Sequence, residues 1–271
     1  MTQLLPHELE GNKNSDNLVI LIHGWPDSIK IWDETVKNLD LQNSYILKLS
    51  YPNYHKQQQS KLGINFKQTV ERMKNTIEMV DNGKNYKKVL IGHDWGAYIS
   101  YLYDITYPKT IDRLICLDIS PYPETSFLAI VITILYQWWN IWSFILGLIY
   151  KPLGNLLTNL FISAMGNEYP YEKERINCSM GYFYLYIWID IIKNLILRKK
   201  GKLAGYRPSV PFVYIFGKDK LFQFHNDKWI QKIQKNPSNE LHMVKGGHWV
   251  QQQHSKFIAQ LINKKITEIT Q

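Results

Sequence analysis

The chain has few cysteines and no apolar segment at its start. Cys116 and Cys178 are the two cysteines in 271 residues, and their separation fits neither a zinc site nor a disulfide scaffold. Residues 1–11 contain Glu8 and Glu10 and no apolar run, which predicts no secretory signal. We therefore expect a cytoplasmic protein in a reducing setting, without a metal site.

Acidic residues are also scarce relative to basic ones. Asp and Glu number 23 against 32 Lys and Arg, so the formal net charge is +9. The basic residues are scattered, and Arg198-Lys199-Lys200-Gly201-Lys202 is the one local cluster. Because no nucleic-acid-binding motif accompanies the charge, we expect no nucleic-acid partner. The length and the 45% hydrophobic content suit one large core with an insertion.

Short apolar runs alternate with helical patterns along most of the chain. A continuous apolar run, typical of a strand buried on both faces, occurs at 18–22, and further strands are predicted at 45–49, 89–91, 111–119, 211–216 and 240–244. Helical patterns occupy 29–39, 66–80, 97–107 and 227–235, and a further helix closes the chain. This alternation predicts a mostly parallel sheet with helices on both faces.

One strand leads into Gly92-His93-Asp94-Trp95-Gly96, which a helix follows directly. A Gly-x-x-x-Gly turn between a strand and a helix can present its central side chain on a tight bend, next to a free backbone N–H group. Asp94 occupies that position, and a carboxylate is already ionised at neutral pH, so it can act as a nucleophile. The alternative is a structural turn in which Asp94 caps the helix.

Two later strand ends carry an acid and a histidine. Asp219 follows the strand at 211–216, and His248 lies in the turn after 240–244. The order nucleophile, acid, histidine at strand ends is that of the α/β-hydrolase fold. Asp118, which ends the strand at 111–119, is an alternative to Asp219 as the acid that orients the imidazole.

Two motifs carry a resemblance to a known family. His23-Gly24-Trp25-Pro26 and the turn around Asp94 resemble the signature motifs of α/β-hydrolase-fold epoxide hydrolases and, more distantly, of haloalkane dehalogenases. The resemblance covers 18–118 and 208–265. It implies a hydrolase core at 1–121 and 207–271, with a helical lid (cap) inserted at 122–206. One departure is Tyr51-Pro52-Asn53-Tyr54, where relatives carry an Asp- and Gly-rich stretch.

The same resemblance implies a role for each matching residue. Asp94 is the expected nucleophile, Asp219 the relay acid and His248 the water-activating base. The backbone N–H groups of Trp25 and Trp95 are the expected oxyanion hole.

The insertion contains 24 residues, 127–150, without a charge, which is long enough to span a bilayer. A single crossing would divide Asp94 from His248, so we expect lid helices instead. A helix lying in the membrane interface, anchored by aromatic residues and the cluster at 198–202, is the alternative.

Epoxide hydrolases also use two lid tyrosines that donate to the ring oxygen. Tyr136, followed by Gln137, resembles the first site. For the second, Tyr182 is the first choice and Tyr184 the next.

We therefore expect a hydrolase that converts small apolar epoxides to vicinal diols without a cofactor. A haloalkane dehalogenase is the nearest alternative, with halide-binding indoles chosen from Trp95, Trp138, Trp139 and Trp142. A non-catalytic member that binds a lipid or a partner is the third possibility.

Overall fold

A computed structural model of the chain describes residues 3–55, 58–164 and 175–270. Within these residues a seven-stranded sheet forms in the spatial order β1-β3-β2-β4-β5-β6-β7. The strands are β1 (His7–Gly11), β2 (Asn17–Ile22), β3 (Tyr45–Leu49), β4 (Lys87–His93), β5 (Arg113–Leu117), β6 (Phe212–Gly217) and β7 (Glu240–Val244). β1 is antiparallel to β3, and all other neighbours are parallel.

The central strands are buried over their whole length. Every residue of β2, β5 and β6 is buried, as expected where helices cover both faces of a parallel sheet. Because parallel strands run in the same direction, the turns that follow β2, β4, β5 and β7 meet along one edge of the sheet. That edge carries the candidate site.

Helices cover both faces of the sheet and form an additional layer above its edge. They are α1 (Asp33–Val36), α2 (Phe66–Asp81), α3 (Trp95–Thr106), α4 (Phe127–Ile149), α5 (Lys151–Ala164), α6 (Tyr182–Ile196), α7 (Asp227–Gln234), α8 (Val250–Gln253) and α9 (Ser255–Thr270). α2 packs with α3, and α1 packs with α9. The predicted mostly parallel sheet flanked by helices is confirmed.

Two segments differ from the sequence prediction. The predicted helix at 29–39 is a 3-10 turn, Ile29–Trp32, followed by the single turn α1. Ile29, Ile31 and Trp32 are all buried, and residues two positions apart cannot share one face of an α-helix. The second difference is β1, which was not predicted because four of its five residues are exposed and show no apolar alternation.

The chain between β5 and β6 holds α4, α5, the 3-10 turn Cys178–Gly181 and α6. α4 and α5 pack closely at two glycines, since a Cβ on Gly154 would lie 2.5 Å from the Cα of Gly147. By length and composition α4 could cross a membrane, but it packs against α5, α6 and the 3-10 turn. Only 28% of its most apolar stretch is buried. This helical layer lies above the carboxyl edge of the sheet.

Candidate active site

Asp94 lies at the tight turn between β4 and α3. Its backbone has φ 53° and ψ −122°, a conformation that non-glycine residues rarely adopt. Gly92 and Gly96 make the turn possible, because a Cβ on Gly92 would lie 2.5 Å from the Gly96 carbonyl oxygen. The turn places the carboxylate of Asp94 at the edge of the sheet, beneath the lid.

Backbone N–H groups from two loops hold the carboxylate of Asp94. The N–H of Trp25 donates to Oδ2 over 2.8 Å, and the N–H of Trp95 also binds the carboxylate. Burial raises the pKa of Asp94 above its usual value, although the charges of His248 and His93 and the two N–H groups oppose this. The two predicted oxyanion donors therefore converge on one carboxylate.

The imidazole of His248 lies between two carboxylates. Its Nε2 is 3.7 Å from Oδ1 of Asp94, and its Nδ1 is 2.6 Å from Oδ2 of Asp118. Burial disfavours the charged imidazole, but the hydrogen bond and charge of Asp118, followed by the charge of Asp94, outweigh burial and raise the pKa of His248. The imidazole is thus oriented by Asp118 with its other nitrogen toward Asp94.

The prediction that Asp219 orients His248 is wrong. Asp219 is exposed, its N–H donates to the Gly246 carbonyl and its Oδ2 accepts from the Gly246 N–H over 2.8 Å. This pair of bonds closes the turn before His248. Asp118, the alternative, directly follows β5 with φ 67°, which turns its side chain toward the imidazole. The turn at the end of β5 thus brings the carboxylate of Asp118 to the imidazole of His248.

Lys220 is a site residue that the sequence analysis missed. Its ammonium group forms an ion pair with Oδ1 of Asp118, and its side chain is 8% exposed. Burial alone would raise the pKa of Asp118, but the hydrogen bond and charge of His248, together with Lys220, lower it. Lys220 also lowers the pKa of His248. Asp118 precedes Lys220 by 102 residues in the chain, and no local sequence pattern connects the two.

The turn that carries His248 is fixed by a buried polar network. Nε2 of His93 donates to the His248 carbonyl over 3.0 Å, and the amide of Gln251 lies 3.0 Å from Nδ1 of His93. The indole N–H of Trp249 donates to Asp27 over 3.1 Å. These contacts connect the loops after β2, β4 and β7, so the imidazole cannot move without disturbing all three.

Two lid tyrosines face Asp94. The ring centroids of Tyr136 on α4 and Tyr184 on α6 lie 6.0 Å apart, and Tyr184 contacts Trp25 and Trp95. Burial, and to a lesser degree the Asp94 charge, raises the pKa of Tyr136 to about 12, although a hydrogen bond with Gln137 lowers it. Burial, followed by the Asp94 charge, raises the pKa of Tyr184 well above its usual value. Both phenols therefore remain protonated near the carboxylate.

Tyr182, the first choice for the second lid tyrosine, points away from the site. Its hydroxyl donates to the Pro52 carbonyl over 3.2 Å, and its ring packs on Gly63. Since α6 begins at Tyr182, the side chain two residues later projects to a different side of the helix. The structure therefore places Tyr184, the second choice, beside Asp94.

The unusual loop at 51–54 connects the core to the lid. The Tyr51 hydroxyl donates to the His23 carbonyl over 2.8 Å, and the Tyr54 hydroxyl donates to the Met180 carbonyl over 2.7 Å. His23, whose pKa is lowered to about 4 by burial, bonds Ser50 through Nε2. The segment at 51–54, although it departs from the family pattern, thus supports the loop that carries the Trp25 N–H group.

The lid tryptophans lie on the outside. Trp138 and Trp142 are 37% and 52% exposed, and the indole N–H of Trp139 donates to the Leu157 carbonyl. These three indoles are exposed or bonded within the lid, and Trp95 alone of the set named for the dehalogenase alternative lies beside Asp94. Among residues 3–55, 58–164 and 175–270, no group of three or more His, Cys, Asp or Glu side chains is placed to hold a metal ion.

The contacts of His248 predict opposite shifts of its pKa in two variants. Asp118→Asn removes a hydrogen-bonded negative charge and lowers the pKa, whereas Lys220→Met removes a positive charge and raises it. Asp219→Asn and Lys218→Met, both changes at exposed residues of the same loop, leave it unchanged. NMR titration of the imidazole measures each value. A shift in Asp219→Asn equal to that in Asp118→Asn would contradict the assignment.

Comparison with known proteins shows the family. A model of the alpha/beta hydrolase fold matches residues 17–255. Abhydrolase domain-containing protein abhd-5.2 of Caenorhabditis elegans is 27% identical over 101 residues, which are 37% of this chain and 22% of that protein. Epoxide hydrolase 1 of the same organism is 25% identical over 115 residues, 42% of this chain and 28% of that protein. The matches thus span about a quarter of the length of these curated relatives.

Solved structures share the fold at low identity. The epoxide hydrolase CorEH superposes with a TM-score of 0.70 at 15% identity, covering 97% of this chain and 94% of that one. An esterase from Thermogutta terrifontis superposes with a TM-score of 0.66 at 14% identity, covering 98% and 93%. With the family match over most of its length, the chain belongs to the α/β-hydrolase fold family.

Proposed function

We propose that the protein is a hydrolase that opens small apolar epoxides to vicinal diols through an ester on Asp94. The observation that carries the proposal is the arrangement around this carboxylate. Two backbone N–H groups bind it, His248 lies 3.7 Å from its other oxygen, and two protonated tyrosines face it from the lid. The similarity to Epoxide hydrolase 1 of C. elegans supports the substrate class.

The first step forms the ester. Oδ1 of Asp94 attacks one epoxide carbon, and the bond between that carbon and the ring oxygen breaks. Tyr136 or Tyr184 gives its proton to the ring oxygen, because an alkoxide is too basic to leave unprotonated. The products of this step are a hydroxyalkyl ester of Asp94 and a tyrosinate.

The second step hydrolyses the ester. His248 takes a proton from water through Nε2, and the hydroxide attacks the ester carbonyl carbon. The N–H groups of Trp25 and Trp95 stabilise the resulting oxyanion by about 3 kcal/mol each. The tetrahedral species releases the diol, which takes the imidazolium proton, and the proton on the regenerated carboxyl returns to the tyrosinate. The net reaction adds one water to one epoxide.

The charges around His248 suit this order of steps. In the free enzyme the negative charge of Asp94 helps to raise the pKa of His248. Ester formation neutralises Asp94 and removes that contribution, so the pKa of the imidazole falls when a base is needed. Lys220 lowers the pKa further. The imidazole thus becomes a competent base after the ester has formed.

Haloalkane dehalogenation is the second candidate because it uses the same aspartate and histidine. Trp95, next to Asp94 and packed on Tyr184, favours it. The position of Trp138, Trp139 and Trp142 on the outer side of the lid leaves no second indole from that set near Asp94. The pair of inward tyrosines therefore favours epoxide opening.

Turnover of styrene oxide and fatty-acid epoxides tests the proposal. Asp94→Ala and Asp118→Asn should each reduce diol formation at least about a thousandfold, because one removes the nucleophile and the other the partner of the base. Asp219→Asn is the matched control and should stay within about twofold. Diol formation by Asp94→Ala at the normal rate would refute the scheme. Halide release from a chloroalkane without any diol product would favour dehalogenation.

The lid tyrosines give a separate prediction. Tyr136→Phe and Tyr184→Phe should each lower kcat on epoxides about tenfold to a hundredfold, and the double variant should lose more than either alone, because each phenol can supply the proton. Tyr182→Phe, which removes a hydroxyl bonded to the Pro52 carbonyl, should change kcat less than about threefold. A larger loss in Tyr182→Phe than in Tyr184→Phe would contradict the assignment. Steady-state kinetics of diol formation decide between them.

A further inference from the structure

The outer side of the lid exposes an unusual number of large apolar side chains. Among the described residues, most of the exposed large hydrophobic side chains lie between 127 and 197. Phe127 and Ile149, at the two ends of α4, are 84% and 82% exposed, and Leu195 and Ile196 on α6 are 77% and 73% exposed. Elsewhere such residues are scattered singly, as on most proteins. A continuous patch of this kind marks an interaction surface.

On α4 most of these side chains lie away from the core, whereas the last turns of α6 are exposed on all sides, since Leu195 lies about 20° from Tyr184 around that helix. The inner side is defined by Tyr136 on α4, Phe161 on α5 and Tyr184 on α6, which contact one another or Trp25 of the core. At 100° per residue, the exposed residues Phe127, Ile134, Trp138, Trp142 and Ile149 lie about 120° to 180° from Tyr136 on α4, and Leu135 and Trp139 lie about 100° and 60° from it. On α5, Leu156 lies about 140° from Phe161, and Leu153 and Leu160 lie about 80° and 100° from it, on the flank of the helix.

The three helices contact one another, which brings their exposed side chains together. The indole N–H of Trp139 on α4 donates to the Leu157 carbonyl on α5 over 2.9 Å. Trp138 on α4 contacts Trp188 on α6, with ring centroids 5.3 Å apart. The indole N–H of Trp188 donates to the Gln137 side chain over 2.9 Å. The patch is therefore one surface across the lid.

Among the described residues, the charges near the patch are mainly positive. Arg198, Lys199, Lys200 and Lys202 follow the end of α6 and are all exposed. In the described residues between 125 and 202, Asp190 is the only acid, and it lies 3.4 Å from Lys202. An apolar surface that contains exposed tryptophans and ends in a basic cluster is complementary to an anionic bilayer, which offers an apolar interior below negative headgroups.

We propose that the outer side of α4, with the exposed side chains of α5 and of the end of α6, docks on anionic membranes. The exposed tryptophans and aliphatic side chains enter the interface, and the cluster at 198–202 contacts the headgroups. α4 lies along the surface and does not cross the bilayer, because its inner side carries Tyr136 and packs against α5 and α6. A protein partner would have to supply a matching acidic and apolar surface, whereas a bilayer of anionic lipids supplies both in one plane.

Sedimentation with vesicles tests this surface independently of catalysis. The full chain is mixed with phosphatidylcholine vesicles that contain or lack phosphatidylserine. We expect binding that requires phosphatidylserine. The double variant Trp138→Ser/Trp142→Ser should bind about tenfold more weakly, since both side chains are exposed and both leave the interface. Replacement of the basic cluster by Gln (R198Q, K199Q, K200Q and K202Q together) should weaken binding at least about tenfold.

Matched variants on other surfaces serve as controls. Met243→Ser removes an exposed apolar side chain on β7, and K37Q, K228Q, K235Q and K256Q together remove the same number of exposed charges. Both controls should bind like the wild type, and circular dichroism checks that all variants are folded. The proposal would be overturned if the protein bound neither kind of vesicle, or if binding did not depend on phosphatidylserine. Equal binding by the lid variants and the wild type would overturn it as well. Self-association that the tryptophan variant abolishes, without vesicle binding, would assign the patch to a second copy.

Discussion

The structure depends on one imidazole placed between two carboxylates. His248 bonds Asp118 through Nδ1 and faces Asp94 through Nε2. Two negative charges so close to one imidazole would hold it protonated, and Lys220 offsets this by pairing with Asp118 on the side away from the imidazole. The four groups come from the ends of different strands, so the sheet must fold before any of them meets another. The site is a product of the parallel topology.

The topology explains which site residues could be predicted. Asp94, Trp25 and Trp95 belong to short motifs in which glycine spacing fixes the backbone, and the structure brings the three together. His248 follows the last strand of the sheet in a glycine turn and reaches the same edge. Where local backbone geometry determines the position of a residue, the sequence is sufficient to predict that residue's place in the site.

Two first choices of site residue were not met by the structure. Each depends on the direction in which a side chain points, and no local sequence pattern determines that direction. Asp118 and Asp219 both follow parallel strands, yet the left-handed conformation of Asp118 turns it toward His248, whereas Asp219 closes the turn at Gly246. Tyr182 and Tyr184 lie on the same helix, and the packing of Tyr182 on Gly63 and its bond to the Pro52 carbonyl hold it away from the site. Lys220 was missed for a similar reason. Its partner, Asp118, is a hundred residues away in the chain.

The loop at 51–54 shows how a divergent segment can preserve a site. Its tyrosines bond the carbonyls of His23 and Met180 and so tie the loop of Trp25 to the base of the lid. The lid in turn supplies Tyr136 and Tyr184 on its inner side. Its outer side carries the apolar surface and the basic cluster. The lid therefore faces the active site on one side and, in our proposal, a membrane on the other.

The central claim, that Asp94 becomes covalently joined to substrate and is released by His248, is tested most directly by intact-protein mass spectrometry. His248→Gln is incubated with an epoxide substrate, with His242→Gln on β7 as the control. The account predicts that His248→Gln gains the mass of one epoxide, that peptide mapping places it on Asp94, and that the control gains none. No added mass, or an adduct on another residue, would contradict it.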